Sequence, residues 1–189
     1  MAHERRAIQT PRLSLQEFNL TDHRYMPFIF AGGTRGNVGG PLTTEDAVRA
    51  LLNFIEHRER HGFSRWAVHP SGSYSPCGFA GVMSSALNHP IGPHYEISWR
   101  FAEADWSAGF HLDAVRAALD DAFSRHWLEE VLLYTLRGDD ESQALAMHLD
   151  LRRSPERDFE FKFPGIGGRH EPVEVWSATP RRPTAVAIQ

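Results

Sequence analysis

The residues whose types and spacing suggest chemistry lie between Tyr95 and Ala114, in the run YEISWRFAEADWSAGFHLDA. A strand-like alternation ends near Phe101, a short loop follows, and a helical pattern begins around Gly109. The first turn of a helix has backbone N–H groups without intrahelical partners, and the macrodipole adds partial positive charge there. Ser107, Ala108 and Gly109 are small enough to let a pyrophosphate approach those amides closely. On spacing alone, an ordinary helix start is the commoner reading of such a junction.

The flanking segments that must position this loop follow from periodicity. Arg12–Phe18 alternates as a half-buried strand, and Thr21–Phe30 reads as a short helix. AGGTRGNVGGP at 31–41 is a glycine-rich loop that lacks the lysine of a phosphate-binding loop; it reads as a mobile lid over the acceptor side. Thr43 or Thr44 caps a helix through Arg60, with Val48, Leu51, Leu52 and Ile55 at helical spacing and Gly62 in place to end it. Three strand-like runs, Phe63–His69, Gly78–Ala86 and Tyr95–Phe101, predict an antiparallel meander. A helix over Gly109–Trp127 should bury Leu112, Val115, Leu119, Ala122 and Phe123. Val131–Arg137 reads as a buried strand, Glu141–Leu149 as a helix, and Phe159–Phe163 and Val173–Thr179 as alternating strands. The order predicts a mixed α/β or α+β domain over residues 10–179, between a flexible N-terminus at 1–9 and a flexible tail at 180–189.

Composition narrows the function classes. The 189 residues suffice for one core without disulfides, and Cys77, the only cysteine, excludes an intramolecular disulfide and any paired-cysteine zinc site. A net charge of −4 and no basic–aromatic cluster argue against nucleic acid as a partner. No apolar run is long enough for a membrane span or a secretion signal, so a cytoplasmic location is expected. Lys162 is the only lysine, which disfavours a catalytic lysine.

The same run resembles the GNAT superfamily of acyl-CoA N-acyltransferases, in the branch that acetylates N-terminal amines of ribosomal proteins and related substrates. That branch commonly reads A-E-I-G-Y-x-L-x-x-x-x-W-G-x-G-Y-A-T-E-A. Here Glu96, Ile97, Trp99, Phe101, Trp106, Gly109, Phe110, Asp113 and Ala114 align to it without a gap. TPRLSL near the start is similar to the family's first strand, RHGFSRWAV to its helix-to-strand passage and CGFAGV to its third strand, so the resemblance spans roughly residues 9–179. It implies a mixed, twisted sheet of six to seven strands, splayed into a V between Tyr95–Phe101 and Val131–Arg137, with helices on both faces. It also implies acetyl-CoA as co-substrate, its pyrophosphate on Trp106, Ser107, Ala108, Gly109, Phe110 and His111, and its pantetheine against backbone at Arg100 and Phe101. A homodimer is frequent in folds that resemble this one.

The departures are specific. Ser107 stands for the first loop glycine, His111 for a small residue, Asp139 for an asparagine and Asp150-Leu151 for Gly-Phe. His111 either crowds the phosphate or, if protonated, pairs with it. Asp139 accepts hydrogen bonds but cannot donate as an amide does. These changes carry a competing reading: a non-catalytic or repurposed GNAT-fold domain that binds another ligand or partner in the same cleft.

Acetyl transfer to a primary amine by direct attack needs a neutral amine, a polarised thioester carbonyl and an acid for the thiolate. The resemblance places Glu96 by the opening of the V, as general base, and Ser142 as donor to the thiolate; a strand-edge carboxylate and a local helix-cap hydroxyl are the structural readings. His94 and His111 flank the region as proton shuttles. His57 and His61, four apart at a helix end, lack a third metal ligand and read as a solvated face. Asp139, Asp140 and Glu141 suit a helix N-terminus. Trp66, Trp99 and Trp176 belong to the core or line the cleft.

Overall fold

The computed structural model describes residues 6–31, 42–102, 109–162 and 170–180. The glycine-rich loop from Gly32 on, and Trp106, Ser107 and Ala108, lie outside the described residues.

Four α-helices and nine strands are present among the described residues. The strands are β1 (Ala7–Gln9), β2 (Leu13–Glu17), β3 (Arg65–Pro70), β4 (Gly78–Ser84), β5 (Tyr95–Phe101), β6 (Val131–Leu136), β7 (Arg152–Arg153), β8 (Phe159–Phe161) and β9 (Glu171–Ala178). The helices are α1 (Met26–Ala31), α2 (Thr44–His61), α3 (Phe110–Ser124) and α4 (Asp140–His148). They build one sheet in the order β1-β2-β3-β4-β5-β6-β9-β7, with β8 paired to β9. Every pairing is antiparallel except β5 with β6.

The expected seven strands are joined by β1 and β7. Ala7–Gln9, expected as part of a loose end, pairs with Ser14–Gln16. The turn between them is closed by Thr10, whose N–H donates to the Leu13 carbonyl at 2.8 Å while its hydroxyl accepts from the Leu13 N–H at 2.9 Å. Residues 20–31 form a 3₁₀ turn, Leu20–Arg24, followed by α1, rather than one helix.

Alternation along the central strands divides the core. Trp66, Ala80 and Trp99 stand in register on the α3 face, with Ile97, Phe101, Val115 and Leu119. Ala67 and Phe79 face α1 and α2, with Phe30, Leu51 and Phe54. Helix α2 is capped by Thr43, whose side chain accepts from Asp46 N–H, and ends at Gly62 with φ of 82°. Its buried residues are Ala47, Leu51 and Phe54, whereas Leu52 is exposed; the apolar stripe is rotated about one position from the one expected. On α3 the buried side is Ala114, Val115, Ala118, Leu119, Asp121 and Ala122, with Leu112 and Phe123 only partly buried.

His57 is not part of a solvated face. Its Nδ1 lies 2.8 Å from the Phe63 carbonyl, and its Nε2 accepts from Ser84 N–H at 3.0 Å. With both ring nitrogens used it pins α2 to β4, and burial lowers its pKa. No group of three or more metal-binding side chains occurs among the described residues. No described helix is long and apolar enough to cross a membrane.

Candidate active site

The sheet opens between its two parallel neighbours. A single register pair, Glu96 with Leu132, joins β5 to β6 among the described residues, although β5 keeps seven pairs with β4 on its other side. Beyond that pair β5 runs on through Ile97–Phe101 and β6 through Leu133–Leu136 without pairing to each other. Helix α3 follows β5 after residues 103–108, so its N-terminus lies at the open end.

Two smaller hollows lie on opposite faces of the sheet, one of them lined by residues of both β5 and β6. On the α3 face, a groove of ≈ 370 Å³ is lined by His111, Leu112, Glu141, Ala144, Leu145 and His148, between the starts of α3 and α4. On the α1–α2 face, a cleft of ≈ 390 Å³ has Arg65, Glu96, Ser98, His89, Tyr134 and Phe159 among its lining residues. A larger cleft of ≈ 770 Å³ lies at the other end of α3, lined by Glu130 and Arg157, which are ion-paired at 2.8 Å, and it includes none of the V's residues.

Gly109 is the N-cap of α3, in the left-handed region with φ of 69° and with no side chain to hydrogen-bond the first-turn amides. Arg12 packs beside it: its guanidinium donates to the Gly109 carbonyl at 3.3 Å, pairs with Asp113 at 2.8 Å and lies 5.4 Å from the Phe110 ring centroid. The residues fit a coenzyme pyrophosphate, since a side-chain-free cap and a nearby cation are what such a group needs. Arg12 went unremarked in sequence because its partners lie about a hundred residues away. His111 is half-buried, and burial lowers its pKa, with Arg12 adding to the effect against Glu141 and Asp113. It is therefore neutral near pH 7 and does not offer phosphate a positive charge.

The Glu96 carboxylate accepts from the Arg65 guanidinium at 3.2 Å. Arg65 lies over the Phe54 and Phe79 rings, and burial lowers its pKa while Glu96 opposes the shift. Gly81 on β4 makes room: a Cβ there would fall 2.4 Å from Arg65 Cα and 2.6 Å from the Ser64 carbonyl. Two residues along β5 from Glu96, Ser98 Oγ is buried without a hydrogen-bond partner among the described residues, on the same cleft. Arg100 is fully buried with its guanidinium 4.9 Å from the Phe30 ring; burial and Arg65 bring its pKa to about 10, so it stays charged at pH 7. Backbone pairing holds Arg100 and Phe101 against Phe79 and Gly78 of β4.

Asp139 is the N-cap of α4, and its carboxylate accepts from Ser142 N–H at 3.1 Å and from Ser142 Oγ at 2.6 Å. Ser142, buried, spends its proton on that cap rather than on the open V. The structure thus brings Glu96, Ser98 and Tyr134 together on one face and His111 and Glu141 on the other. Trp66 and Trp99 are core residues, and Trp176 donates to Thr135 Oγ1 at 3.1 Å.

Comparison with known proteins agrees with this geometry. The acetyltransferase (GNAT) domain family matches residues 12–152. An acetyltransferase from Agrobacterium tumefaciens is 17% identical, with a TM-score of 0.74 over 95% of this chain and 98% of its own. The ribosomal-protein-S5-alanine acetyltransferase from Vibrio fischeri is 14% identical, with a TM-score of 0.71 over 92% and 96%. The Microcin C7 self immunity acetyltransferase MccE, in complex with acetyl-CoA and AMP, is 10% identical, with a TM-score of 0.68 over 90% and 94%. The open parallel step in an otherwise antiparallel sheet thus belongs to a fold that this chain shares with those acetyltransferases. The chain belongs to the GNAT acetyltransferase family, and its class of activity is N-acetyl transfer.

Proposed function

We propose that residues 10–179 form one catalytic domain that transfers the acetyl group of acetyl-CoA to a primary amine by direct attack on the thioester. The observation that carries this reading is the open parallel step beyond the Glu96–Leu132 pair, with the cleft that Glu96 and Tyr134 line on one face and the groove that His111 and Glu141 line by α3 on the other. The groove, lined by His111 and Leu112 beside the α3 N-terminus, is suited to the coenzyme, and the cleft lined by Glu96 and Ser98 to the amine. MccE, a structural neighbour, is in complex with acetyl-CoA and AMP, which favours acetyl-CoA as the donor here.

The thioester supplies the activated acyl carbon. The chain's own residues then position the reactants. The bare α3 N-cap and Arg12 favour the pyrophosphate, and the stretch of β5 that continues past the Glu96–Leu132 pair lies alongside the path of an extended pantetheine arm. Ser98 Oγ and Glu96 offer the amine acceptors on the opposite face, with one Glu96 oxygen held by Arg65 so that the carboxylate keeps a fixed direction. Cys77 is buried, in a segment before β4, and a covalent cysteine intermediate has no part in this scheme. A cytoplasmic setting suits both acetyl-CoA and a sequence with a single cysteine.

The test is transfer itself. Purified protein with acetyl-CoA and an amine panel (an alanine-initiated tripeptide, phenylalanine, tyramine and spermidine) is followed by thiol release and by mass. An added 42 Da on one amine, matched by free CoA, is expected; thiol release equal to that of a no-enzyme control with every amine would contradict the reading.

A further inference from the structure

We propose that Tyr134 and His94 form the proton relay of the amine cleft, Tyr134 as the catalytic residue and His94 as the positioning residue that finally holds the proton. The inference rests on the acetyl-transfer reading and names the base that reading leaves open.

Tyr134 sits two residues beyond Leu132 on β6, on the side of the V that β5 does not cover, and it lines the same cleft as Glu96 and Ser98. Its hydroxyl is hydrogen-bonded to His94 Nε2. His94 Nδ1 lies 2.7 Å from the Gly92 carbonyl, an oxygen that can only accept. The Nδ1 therefore carries the proton, the Nε2 carries the lone pair, and the Tyr134 hydroxyl is the donor between them. The imidazole is fixed further by its backbone: His94 N–H donates to Ser85 Oγ at 3.0 Å, and Ser85 N–H donates to the His94 carbonyl at 2.8 Å. His89 stacks on Tyr134 at 5.4 Å and 11°, and Phe159 meets the same ring edge-on at 5.3 Å, so the phenol is held in one direction.

Such an array is built to take a proton from the cleft. As the amine nitrogen bonds to the acyl carbon, its proton passes to Tyr134 Oη and the phenol's own proton passes to His94 Nε2. The phenol is regenerated and the imidazole becomes imidazolium. As the carbon–sulfur bond breaks, the same path returns a proton to the departing sulfur, giving amide and thiol with no net proton uptake. One Glu96 oxygen is engaged by Arg65, whereas the His94 Nε2 lone pair is already directed at the Tyr134 hydroxyl. The titratable groups facing His94 are His89, whose ring lies 4.8 Å away, Tyr134, and Glu130, whose carboxylate is favoured by charge on His94 and already bonds Arg157 and Ser177. Glu130 is thus placed to stabilise the imidazolium.

The test uses the full chain, with Tyr134→Phe, His94→Gln and Glu96→Gln beside wild type. Calorimetry with acetyl-CoA comes first: absence of binding by wild type refutes the transferase reading, on which the relay depends. With any amine of the panel that wild type acetylates, Tyr134→Phe and His94→Gln should each lower kcat by about 10²-fold or more, with KM within about threefold, as general acid–base catalysis requires. Glu96→Gln should instead act on KM. A folded Tyr134→Phe protein with kcat within about threefold of wild type overturns the relay. Nitrogen-15 spectra of the histidine rings give an answer independent of turnover. His94 as the Nδ1–H tautomer, with its Nε2 signal displaced in Tyr134→Phe, is the expected result; an Nε2–H tautomer, or a signal indifferent to the substitution, overturns it.

Discussion

Asp139 takes two hydrogen bonds from one residue, Ser142: the backbone N–H at 3.1 Å and the hydroxyl at 2.6 Å. This makes Asp139 a helix cap, a position at which aspartate and asparagine serve equally. The departure from the family's asparagine is therefore conservative in structure. Asp139→Ala should cost about 0.5–2 kcal/mol, as loss of an N-cap does, while Asp139→Asn stays near wild type. Ser142→Ala should cost about 1 kcal/mol and leave kcat within about threefold. Chemical denaturation beside steady-state rates checks both, and a hundredfold fall in kcat for Ser142→Ala would restore the hydroxyl to the reaction.

Gly109 holds its left-handed turn with nothing nearer than 3.9 Å to a built Cβ, that nearest atom being on Arg12. Gly109→Ala therefore meets backbone strain and little collision. A cost of about 1 kcal/mol is expected, seen as a melting temperature lower by about 2–4 °C. Acetyl-CoA affinity should fall alongside, because the first turn of α3 shifts with its cap. An affinity unchanged in a protein so destabilised would remove the α3 N-terminus from the coenzyme site.

At Gly81 the obstacle is the neighbouring strand. A methyl group would sit 2.4 Å from Arg65 Cα, so β3 and β4 must separate locally. Gly81→Ala should destabilise by about 1–3 kcal/mol, the range for overpacking. The displaced Arg65 should also raise KM for the amine through loss of its bond to Glu96. Equilibrium unfolding and acceptor titration test the two effects separately.

His57, His69, His89, His111 and His126 all have pKa values lowered by burial. The unfolded chain therefore binds more protons than the native one between the native values and 6.5, and stability rises with pH there. The contribution is fully present above pH 6.5 and is lost as pH falls through the native values. Denaturation midpoints measured from pH 7.5 to pH 5 should fall monotonically, and His57→Gln should flatten the slope. Because His111 is neutral near pH 7, acetyl-CoA affinity should be flat between pH 7 and 8, and His111→Ala should change it by less than about threefold. A tenfold loss would mean that the imidazole holds phosphate.

Much of this architecture is written locally in the chain. Thr43 and Gly62 bound α2, and the turns before Gly78 and Tyr95 set the meander, because caps and turn residues act within a few positions. What eluded the sequence depends on register and distance. Ala7–Gln9 is too short to show a period, and one position of helical phase decides whether Leu52 or Leu51 is buried. Glu96 stood out as a carboxylate beside a strand end, yet its tie to Arg65 reaches across β4 from β5 to β3. Tyr134 is one letter in the apolar run VLLYTLR; only the fold brings it to His94, forty residues earlier. Arg12 reaches Gly109 in the same way.

Titration calorimetry on the purified chain measures directly whether the opening beyond Glu96 and Leu132 receives acetyl-CoA. A saturable isotherm with one molecule bound per chain, weakened in Gly109→Ala and unaltered in Tyr134→Phe, is the predicted result. A folded protein that gives no heat of binding at millimolar acetyl-CoA would contradict it.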